Sequence, residues 1–500
     1  MGIELLLDIA TSTAPDRVVL GRRSDGLTLD RLATLAAGGA LVVRDSGAQT
    51  VVFLGSNGPA FPVAVFASAR AGVPICPLNY RLSSEQLTGL LDRVDDPLII
   101  ADQEQLTQVA GRTRVLTSEQ WLEQAEKASG ESERIESELL LPAEDESPAV
   151  LLFTSGTTST PKCVVLRHEH LLAYVLQTVD PASADETDAA LVSVPPYHVA
   201  GTATVLTNVY AGRRVLYLPA FSPESWLDLV GTEEISSAMV VPTMLARIVD
   251  HLGDEQAQVP ALRSMAYGGA RLPQPVLERA LRAFPTVAFA NAYGLTETSS
   301  TIAVLGPDDH RDAVASDDPA IRARLGSAGR LVGGVEGEIR SPEGDVLGVD
   351  EPGELWVRGP QISGEYVGIG SSKDAEGWFP TKDRAWFDAD GYLFIEGRMD
   401  DTIIRGGENI APAEIEDVLL DHPAVREAAV LGRPDEEWGE AIVAFIVPNP
   451  GAAPDADELR DWVRQRLRGS KTPDDVYFRD DLPHTDTGKL LRRELIKDLT

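Results

Sequence analysis

The sequence predicts an α/β protein with a large N-terminal domain of layered α/β subdomains plus a β-rich subdomain, and a small α+β C-terminal domain. In the first half of the chain, apolar runs rich in β-formers alternate with longer helical patterns, which is typical of α/β layers. From Gly326 onward the pattern changes to short strands separated by Gly, Pro and Asp turns. The length of 500 residues is enough for about two to four domains, each with its own core.

The alternation of strands and helices is clearest in two regions of the large domain. The first region predicts a strand at Thr50–Leu54, a helix at Ala60–Ala71 and a strand at Val73–Pro77. The second predicts a strand at Arg213–Leu218 followed by a helix at Pro223–Thr232. Both regions therefore indicate sheets covered by helices.

The β-rich subdomain is predicted over about 326–397 from three short runs bounded by turn residues. These runs are Gly337–Arg340, Gly353–Val357 and Gly391–Glu396. Because each run is short and no helical period lies between them, the segment predicts a small sheet of its own.

The last hundred residues form a separable α+β unit. Pro412–Leu420 and Asp457–Leu467 carry apolar residues at helical spacing, and Ala441–Val447 is a continuous apolar run typical of a buried strand. A polar turn near Gly397 separates this unit from the β-rich subdomain. The predicted division is a large domain over 1–397, a connection at 398–400, and a small domain over 401–500.

The charge of the chain excludes several classes of partner. There are 44 basic and 78 acidic residues, for a net charge of -34. Such a field repels phosphate backbones and anionic lipid surfaces, so we expect neither nucleic-acid binding nor stable membrane insertion. An anionic small ligand would need a local pocket of basic groups or backbone amides.

The cysteines and the N-terminus bear on location. Cys76 and Cys163 cannot form a disulfide framework, and their separation matches no zinc spacing. The first ten residues lack a basic segment and contain Glu4 and Asp8, unlike a signal peptide. We therefore expect a cytoplasmic protein, and the sequence leaves open whether it forms a homodimer.

A hydroxyl-rich loop is the most informative segment. Six of the seven residues from Thr154 to Thr160 carry hydroxyl groups, the seventh is Gly156, and Pro161–Lys162 closes the loop. Hydroxyls, backbone amides and one ammonium are suitable donors for phosphate oxygens. The loop is not a Walker A motif, because Pro161 replaces the second glycine and a strand follows the lysine. A polar hairpin without function is the alternative for such a loop taken alone.

This loop and eight further motifs resemble the adenylate-forming superfamily, which includes acyl-CoA synthetases, peptide-synthetase adenylation domains and luciferases. The motifs occur in the order that this superfamily requires and extend to Lys489, so chance agreement is negligible. They are Pro195–His198, Tyr267–Ala270, Asn291–Thr298, Gly326–Arg330, Gly377–Asp383, Gly397–Asp401, Arg405–Ile410 and Thr487–Lys489.

The resemblance implies roles for individual residues, with ATP and Mg²⁺ as cofactors and CoA as co-substrate. The residues implied in phosphate binding are Thr154, Ser155, Gly156, Thr157, Thr158 and Lys162. Those implied in adenosine binding are Gly269, Ala270, Asn291, Tyr293, Asp383 and Arg398. The implied catalytic residues are Lys489, Thr296, Glu297 and His198, with Glu297 also the magnesium ligand.

The same resemblance implies a substrate channel and a moving small domain. The implied acyl pocket contains His198, Val199, Val241 and Met244. The implied CoA channel contains Arg405, Gly406, Gly407 and Trp438. Asp400 matches the hinge about which the C-terminal domain, a mobile lid, would rotate.

Three residues depart from the pattern of the superfamily. Ser159 and Cys163 stand in the phosphate loop region where glycine is usual, and Lys382 stands where glycine usually precedes the ribose-binding acid. Serine resists positive φ, so the mobility of the loop is in doubt. Cys163 is expected to be an inert core thiol. At Lys382 we expect a different local backbone.

The sequence therefore predicts an AMP-forming acid:CoA ligase that activates a hydrophobic carboxylic acid. No Asp or Glu occurs between Asp188 and Glu224, so no residue there matches the acid that grips an amino-acid ammonium in adenylation domains. Two alternatives remain open. One is an adenylating enzyme that loads an acyl carrier protein, and the other is a nucleotide-binding regulator that has lost turnover.

Overall fold

The computed structural model describes residues 2–131, 134–135, 146–154, 161–218, 220–435, 437–485, 488–497 and 499. The described residues form two large sheets, a four-stranded sheet and a C-terminal sheet, each covered by helices or loops. The α/β fold class is confirmed. The helices are Glu4–Thr13, Leu29–Ser46, Ala60–Ala71, Ser84–Leu91, Ser118–Ala128, His168–Thr178, Val199–Ala211, Pro223–Thr232, Pro242–Leu252, Gln274–Ala283, Pro307–Ala315, Pro319–Ala323, Pro412–Leu420, Ala456–Arg466 and Arg492–Lys497.

The eight-stranded sheet contains the first predicted strands and the strands on either side of the hydroxyl-rich loop. Its order across the sheet is Gly370–Ser371, Glu365–Tyr366, Lys162–Arg167, Pro148–Thr154, Ile75–Pro77, Thr50–Leu54, Pro97–Ala101 and Val115–Thr117. The short hairpin at Glu365–Tyr366 joins the antiparallel edge, where Tyr366 pairs with Val164. This edge therefore brings a distant part of the chain beside the end of the loop.

The nine-stranded sheet supplies most of the candidate site. Its order is Arg330–Leu331, Ser300–Leu305, Ala288–Leu295, Ser264–Gly268, Ser237–Val240, Ala189–Val192, Arg214–Tyr217, Val18–Leu20 and Leu27–Thr28. The four neighbours from Ala189 to Leu295 run parallel to one another. The carboxyl ends of these four strands therefore meet at one edge, which is where α/β sheets usually bind ligands.

The core between the two large sheets is filled by apolar helices. Leu29–Ser46, Ala60–Ala71 and Val199–Ala211 contribute fully buried side chains to one continuous cluster. Ala60–Ala71 is buried along almost its whole length, and Gly72 ends it in the left-handed conformation at φ +70°. A helix that is apolar on all sides is stable only inside a protein, and this helix is part of a core cluster that includes strand residues of both large sheets.

The four-stranded sheet and the C-terminal sheet follow one another along the chain. The first contains Glu336–Arg340, Gly353–Arg358, Phe379–Phe387 and Leu393–Arg398. The second contains Ile403–Arg405, Glu408–Ile410, Val425–Asp435, Gly439–Pro448 and Asp475–Phe478. A single 3₁₀ turn, Met399–Asp401, connects them.

Most predicted elements are confirmed, several to the residue, and the largest error is in a strand. The helices Ala60–Ala71, Pro223–Thr232 and Pro412–Leu420 begin and end where the sequence predicts. The bounds predicted for the strand Gly391–Glu396 are wrong, because the strand begins at Leu393 and ends at Arg398. Gly391 instead belongs to the preceding turn, where its amide donates to the carbonyl of Asp388 at 3.0 Å. No helix among the described residues is long and apolar enough to cross a membrane.

Candidate active site

The predicted adenosine residues converge where the nine-stranded sheet meets the four-stranded sheet. The hydroxyl of Tyr293 donates to Oδ2 of Asp383 at 2.5 Å, and Nη1 of Arg398 donates to Oδ1 of the same carboxylate at 2.8 Å. Asp383 and Arg398 are directly opposite each other on neighbouring strands. Burial, reinforced by the charge of Asp383, raises the pKa of Tyr293 well above its usual value. The phenol therefore stays protonated and holds the acid in place.

Asp383 is only 4% exposed, although the sequence offers no local sign that this acid is buried. Its backbone amide donates to Oγ1 of Thr381 at 3.1 Å. A carboxylate held by two donors, Tyr293 and Arg398, has little freedom to rotate, so it is preorganised to accept hydrogen bonds from a pair of hydroxyls.

Lys382 has a backbone conformation that usually requires glycine. Its φ is +61°, in the left-handed region that L residues rarely adopt. Glycine adopts this conformation readily and lysine does not, and a local backbone that differs from the family pattern stays a prediction. The hydroxyl of Thr381 donates to the carbonyl of Leu355 at 2.7 Å and accepts from the backbone amide of Asp383 at 3.1 Å. These contacts on both sides of Lys382 hold the lysine in its strained conformation.

The turn that follows the strand Ser264–Gly268 is also sterically constrained. A Cβ on Gly268 would overlap the carbonyl oxygen of Ala292 on the neighbouring strand, and Gly269 has φ +83°. Asn291 donates from Nδ2 to the carbonyl of Ser327 at 3.0 Å. Tyr267 pairs with Asn291 and Gly268 with Ala292, so Gly269 and Ala270 follow directly after the carboxyl end of their strand.

Thr296 and Glu297 begin a 3₁₀ turn directly after the strand that carries Tyr293. The two residues after this turn, Ser299 and Ser300, have φ values of +57° and +115°. Backbone strain of this kind persists only where the surroundings over-determine it. The turn is therefore held rigidly at the edge of the sheet, with Thr296 half-buried.

Glu297 is the candidate magnesium ligand. Its Oε1 accepts a hydrogen bond from the hydroxyl of Tyr366 at 2.8 Å. In the part of the chain that the structure describes, no group of three or more His, Cys, Asp or Glu side chains is placed to hold a metal ion. A single carboxylate fits Mg²⁺ that is completed by phosphate oxygens and water, and does not fit a metal held by protein groups alone.

The described ends of the hydroxyl-rich loop are paired with each other. Thr154 and Lys162 face each other on antiparallel strands. Nζ of Lys162 lies 5.2 Å from the ring centre of Tyr366. Ser155, Gly156, Thr157, Thr158 and Ser159 lie outside the described residues. Cys163 is buried, and burial raises its pKa to about 11, so it is the inert thiol that the sequence predicts.

Lys489 lies near enough to the predicted nucleotide residues for their charges to act on it. It closes a turn in which its amide donates to Oγ1 of Thr485 at 3.0 Å. Desolvation of its ammonium lowers its pKa first, and the charge of Arg398 lowers it further, while Asp383, Asp401 and Glu297 oppose the shift. The charges that act on Lys489 are therefore those of the predicted nucleotide site.

Two contacts fix the small domain in this orientation. A Cβ on Gly488 would overlap the side chain of Thr243 on the large domain, so the Lys489 turn is packed tightly against it. Arg271 forms an ion pair with Asp417, and its Nη1 donates to the carbonyl of Ala413 at 3.3 Å. Arg271 directly follows the Tyr267–Ala270 motif, whereas Asp417 belongs to the helix Pro412–Leu420.

The predicted acyl-pocket residues lie at the starts of two helices. His198 precedes Val199–Ala211, and Val241 precedes Pro242–Leu252, which includes Met244. Both helices follow neighbouring parallel strands, so their first residues meet at the carboxyl edge of the sheet. The ring of His198 lies 4.7 Å from that of Tyr197.

Comparison with known proteins agrees with this arrangement. Residues 7–367 match the family model described as AMP-binding enzyme, and residues 414–489 match the model described as AMP-binding enzyme C-terminal domain. The chain belongs to the AMP-binding enzyme family. It is an enzyme of the AMP-forming acid:CoA ligase type, as the sequence predicts.

Individual members of the AMP-binding family are similar over nearly the whole chain. A feruloyl-CoA synthase of an Amycolatopsis species is 33% identical over 93% of this chain and 91% of its own. A fatty acid–[acyl-carrier-protein] ligase of Streptomyces coeruleorubidus is 33% identical over 89% of this chain and 86% of its own. The structure of an O-succinylbenzoate coenzyme A synthetase from Bacillus subtilis, in complex with ATP and magnesium ion, is 27% identical, with a TM-score of 0.81 over 98% of each chain.

In this AMP-binding enzyme the predicted CoA-channel residues lie at an edge of the C-terminal sheet. Arg405 forms a two-fold contact with Asp474, and its guanidinium lies 5.5 Å from the ring centre of Trp438. Gly406 and Gly407 have φ values of +56° and +82°, and the Gly406 amide donates to the carbonyl of Trp438 at 2.7 Å. Trp438 is 47% exposed, so its ring can contact a ligand.

Sequence reasoning missed two residues of this AMP-binding enzyme that contact predicted site residues or the opposite domain. Arg271 was missed although it directly follows a motif, because a single arginine has no periodic signal. Tyr366 was missed because 69 residues separate it from Glu297, and only the added strand at the sheet edge brings the two together.

Proposed function

We propose that this enzyme activates a hydrophobic carboxylic acid as acyl-AMP and then transfers the acyl group to CoA. The observation that carries the proposal is the convergence of the Tyr293–Asp383–Arg398 network, Glu297 and Lys489 at one edge of the nine-stranded sheet. These groups could hold a ribose, a magnesium–phosphate unit and a reacting carboxylate together.

In the first half-reaction, a carboxylate oxygen attacks the α-phosphorus of ATP, forming a new oxygen–phosphorus bond as the bond to pyrophosphate breaks. The attack needs no general base, because a carboxylic acid is already ionised at neutral pH. Lys489 would offset the negative charge that accumulates when two anions meet, and Thr296 would donate to the α-phosphate. Magnesium, when bound at Glu297, would neutralise phosphate charge.

In the second half-reaction, the thiol sulfur of CoA attacks the carbonyl carbon of acyl-AMP, and AMP leaves with the bonding electrons. We assign the small domain to residues 401–500 and the hinge to 398–400, which overlaps the turn Met399–Asp401. Rotation about Asp400 would remove Lys489 from the site and bring Gly406 and Gly407 to the thiol entrance. His198 would line this entrance.

The apolar character of the pocket supports a hydrophobic acid as substrate. Val199, Val241 and Met244 would line the place of the substrate tail, and Val241 is almost fully buried. No acidic residue occurs between Asp188 and Glu224, so this segment offers no partner for an ammonium group. An amino acid is therefore a poor substrate for this pocket.

A carrier protein is the second candidate acceptor. It is favoured by the similarity to the fatty acid–[acyl-carrier-protein] ligase, which is as identical in sequence as the feruloyl-CoA synthase. The exposed Trp438 and the positive φ of Gly406 and Gly407 suit a pantetheine arm, which both acceptors carry.

The test is to trap acyl-AMP with hydroxylamine across a panel of aryl, medium-chain and alicyclic acids, with and without CoA. Mass spectrometry should detect a hydroxamate without CoA and a thioester with CoA. Hydroxamate without any thioester would favour the carrier protein as acceptor. If no acid gives a hydroxamate, both proposals fail and a regulatory nucleotide-binding role is favoured. The K489A variant is the control for enzyme-dependent product.

A further inference from the structure

We propose that Tyr366 is a positioning residue that orients the carboxylate of Glu297 toward magnesium–ATP and couples it to the lysine of the phosphate loop. This inference rests on the proposed function, because it takes Glu297 as the magnesium ligand. It adds a residue that lies outside the motifs of the sequence and contacts two of them at once.

The contacts of Tyr366 are specific on both sides. Its hydroxyl donates to Oε1 of Glu297 at 2.8 Å, and its ring centre lies 5.2 Å from Nζ of Lys162. Burial raises the pKa of Tyr366, and the negative charge of Glu297 raises it further, so the phenol remains a donor at neutral pH. With Oε1 held in this way, the carboxylate presents its second oxygen in a fixed direction.

The main chain of Glu297 is held by the same segment. Its carbonyl accepts from the amides of Ser363 and Gly364 at 2.9 and 3.2 Å. Gln361, which is 1% exposed, donates from Nε2 to the carbonyls of Thr298 and Thr301 at 3.0 and 2.9 Å. The segment 361–366 therefore fixes both the side chain and the backbone of the strained 3₁₀ turn.

The same segment is attached to the strand that follows the phosphate loop. Tyr366 pairs with Val164, and Oγ of Ser363 donates to the carbonyl of Val165. Lys162 is the first residue of that strand. A displacement of the loop lysine would therefore be transmitted through the segment 361–366 to the carboxylate of Glu297.

The hydroxyl and the ring of Tyr366 have separate roles. The hydroxyl orients Glu297, whereas the ring supports the Lys162 ammonium through a cation–π contact. Tyr366→Phe removes the hydrogen bond to Glu297 and keeps the ring beside Lys162. Tyr366→Leu removes both. Y366F should therefore weaken metal binding alone, whereas Y366L should weaken the binding of both metal and nucleotide.

The test measures binding and does not need turnover. Manganese, a spectroscopic substitute for magnesium, is titrated by EPR into protein saturated with α,β-methylene ATP. We expect Y366F to weaken manganese binding about tenfold, because the lost hydrogen bond involves a charged group. Calorimetric affinity for the nucleotide without metal should remain within about twofold. For Y366L we expect both affinities to fall, the nucleotide affinity by about threefold.

The matched control is Tyr392→Phe. The hydroxyl of Tyr392 donates to Oδ1 of Asp309 at 2.6 Å. Y392F therefore removes a tyrosine–carboxylate hydrogen bond, as Y366F does, but outside the predicted site. Y392F should leave both affinities unchanged. Circular dichroism and thermal melting of all three variants identify any loss of folding.

The results distinguish this inference from the proposed function. Unchanged manganese affinity in folded Y366F overturns the inference, whatever the enzyme catalyses. Equal weakening of manganese and metal-free nucleotide binding also overturns it, because that pattern indicates general distortion. If wild-type protein forms no acyl-AMP but Y366F still loses manganese affinity selectively, the positioning role stands and only the proposed reaction fails.

Discussion

The contact between Arg271 and the small domain should control the balance between the two half-reactions. Arg271 bridges the domains by its ion pair with Asp417 and its hydrogen bond to the carbonyl of Ala413. In this orientation Lys489 lies near enough to Asp383 and Glu297 for their charges to act on it. If the small domain rotates for thioester formation, both contacts must break. Arg271→Ala should therefore slow acyl-AMP formation and leave the second step unimpaired or faster.

The expected size of the R271A effect follows from the solvent exposure of the Arg271–Asp417 ion pair. The side chains of Arg271 and Asp417 are 45% and 44% exposed, so water screens the ion pair and its contribution is about 0.2–1 kcal/mol. The hydrogen bond to Ala413 is long at 3.3 Å and adds about 0.5 kcal/mol. A total of about 1 kcal/mol corresponds to a change of about fivefold in the population of the adenylating orientation.

Two single-turnover assays separate the steps. Pyrophosphate release reports the first step, and thioester formation from supplied acyl-AMP reports the second. For R271A we expect the first rate to fall about two- to fivefold, and high salt should reduce the difference from wild type because it screens the pair. D417A should reproduce the effect, and the double variant should add little to it.

The matched control is Arg279→Ala. Arg279 forms a similarly exposed ion pair with Asp250 at 2.6 Å, but both residues lie in the large domain. Loss of this pair should change neither step. If R271A slows both half-reactions equally, or if it behaves like R279A, the contact does not set the domain balance and the reasoning is refuted.

Four further substitutions test the assigned residues. Lys489→Ala should reduce acyl-AMP formation about a hundred- to a thousandfold and spare thioester formation from supplied acyl-AMP; equal losses in both steps would contradict its role. Glu297→Gln should raise the magnesium concentration needed for activity, and an unchanged magnesium dependence would remove Glu297 from the metal site. Lys382→Gly should raise the free energy of unfolding by about 0.5–1 kcal/mol in urea titrations by relieving the positive φ, whereas K382A, which keeps Cβ, should not; equal effects would contradict the strain. Asp400→Pro should retain acyl-AMP formation and slow thioester formation at least about tenfold, because proline fixes φ at the proposed hinge; equal slowing of both steps would argue against a hinge.

The sequence was sufficient for the elements whose signals are local. Ala60–Ala71 and Pro412–Leu420 have the predicted bounds because a run of apolar residues at helical spacing and a glycine or proline at the end are all contained in one window. The motifs around Asn291 and Asp383 were found in the same way, since each is a short run of neighbouring residues. Membership of the AMP-binding family followed from their order.

Strand bounds were less predictable, because a strand extends as far as its partner allows. Leu393–Arg398 continues two residues beyond the prediction, since Gly397 and Arg398 pair with Arg384 and Asp383. That pairing is also what places Arg398 against Asp383, the acid that we propose to bind ribose. No pattern within the strand itself contains this information.

Only the tertiary structure decided how the motifs are held. Tyr366 meets Glu297 across 69 residues, and Arg271 meets Asp417 across 146. The left-handed backbone at Lys382, which contradicts the preference of lysine, is likewise maintained by contacts of its neighbours. The sequence by itself determined which residues are proposed to carry the chemistry, since that proposal depends on side-chain type in a local pattern. Their orientation depends on sheet order and domain packing, because these bring together groups whose separation along the chain leaves no local signal.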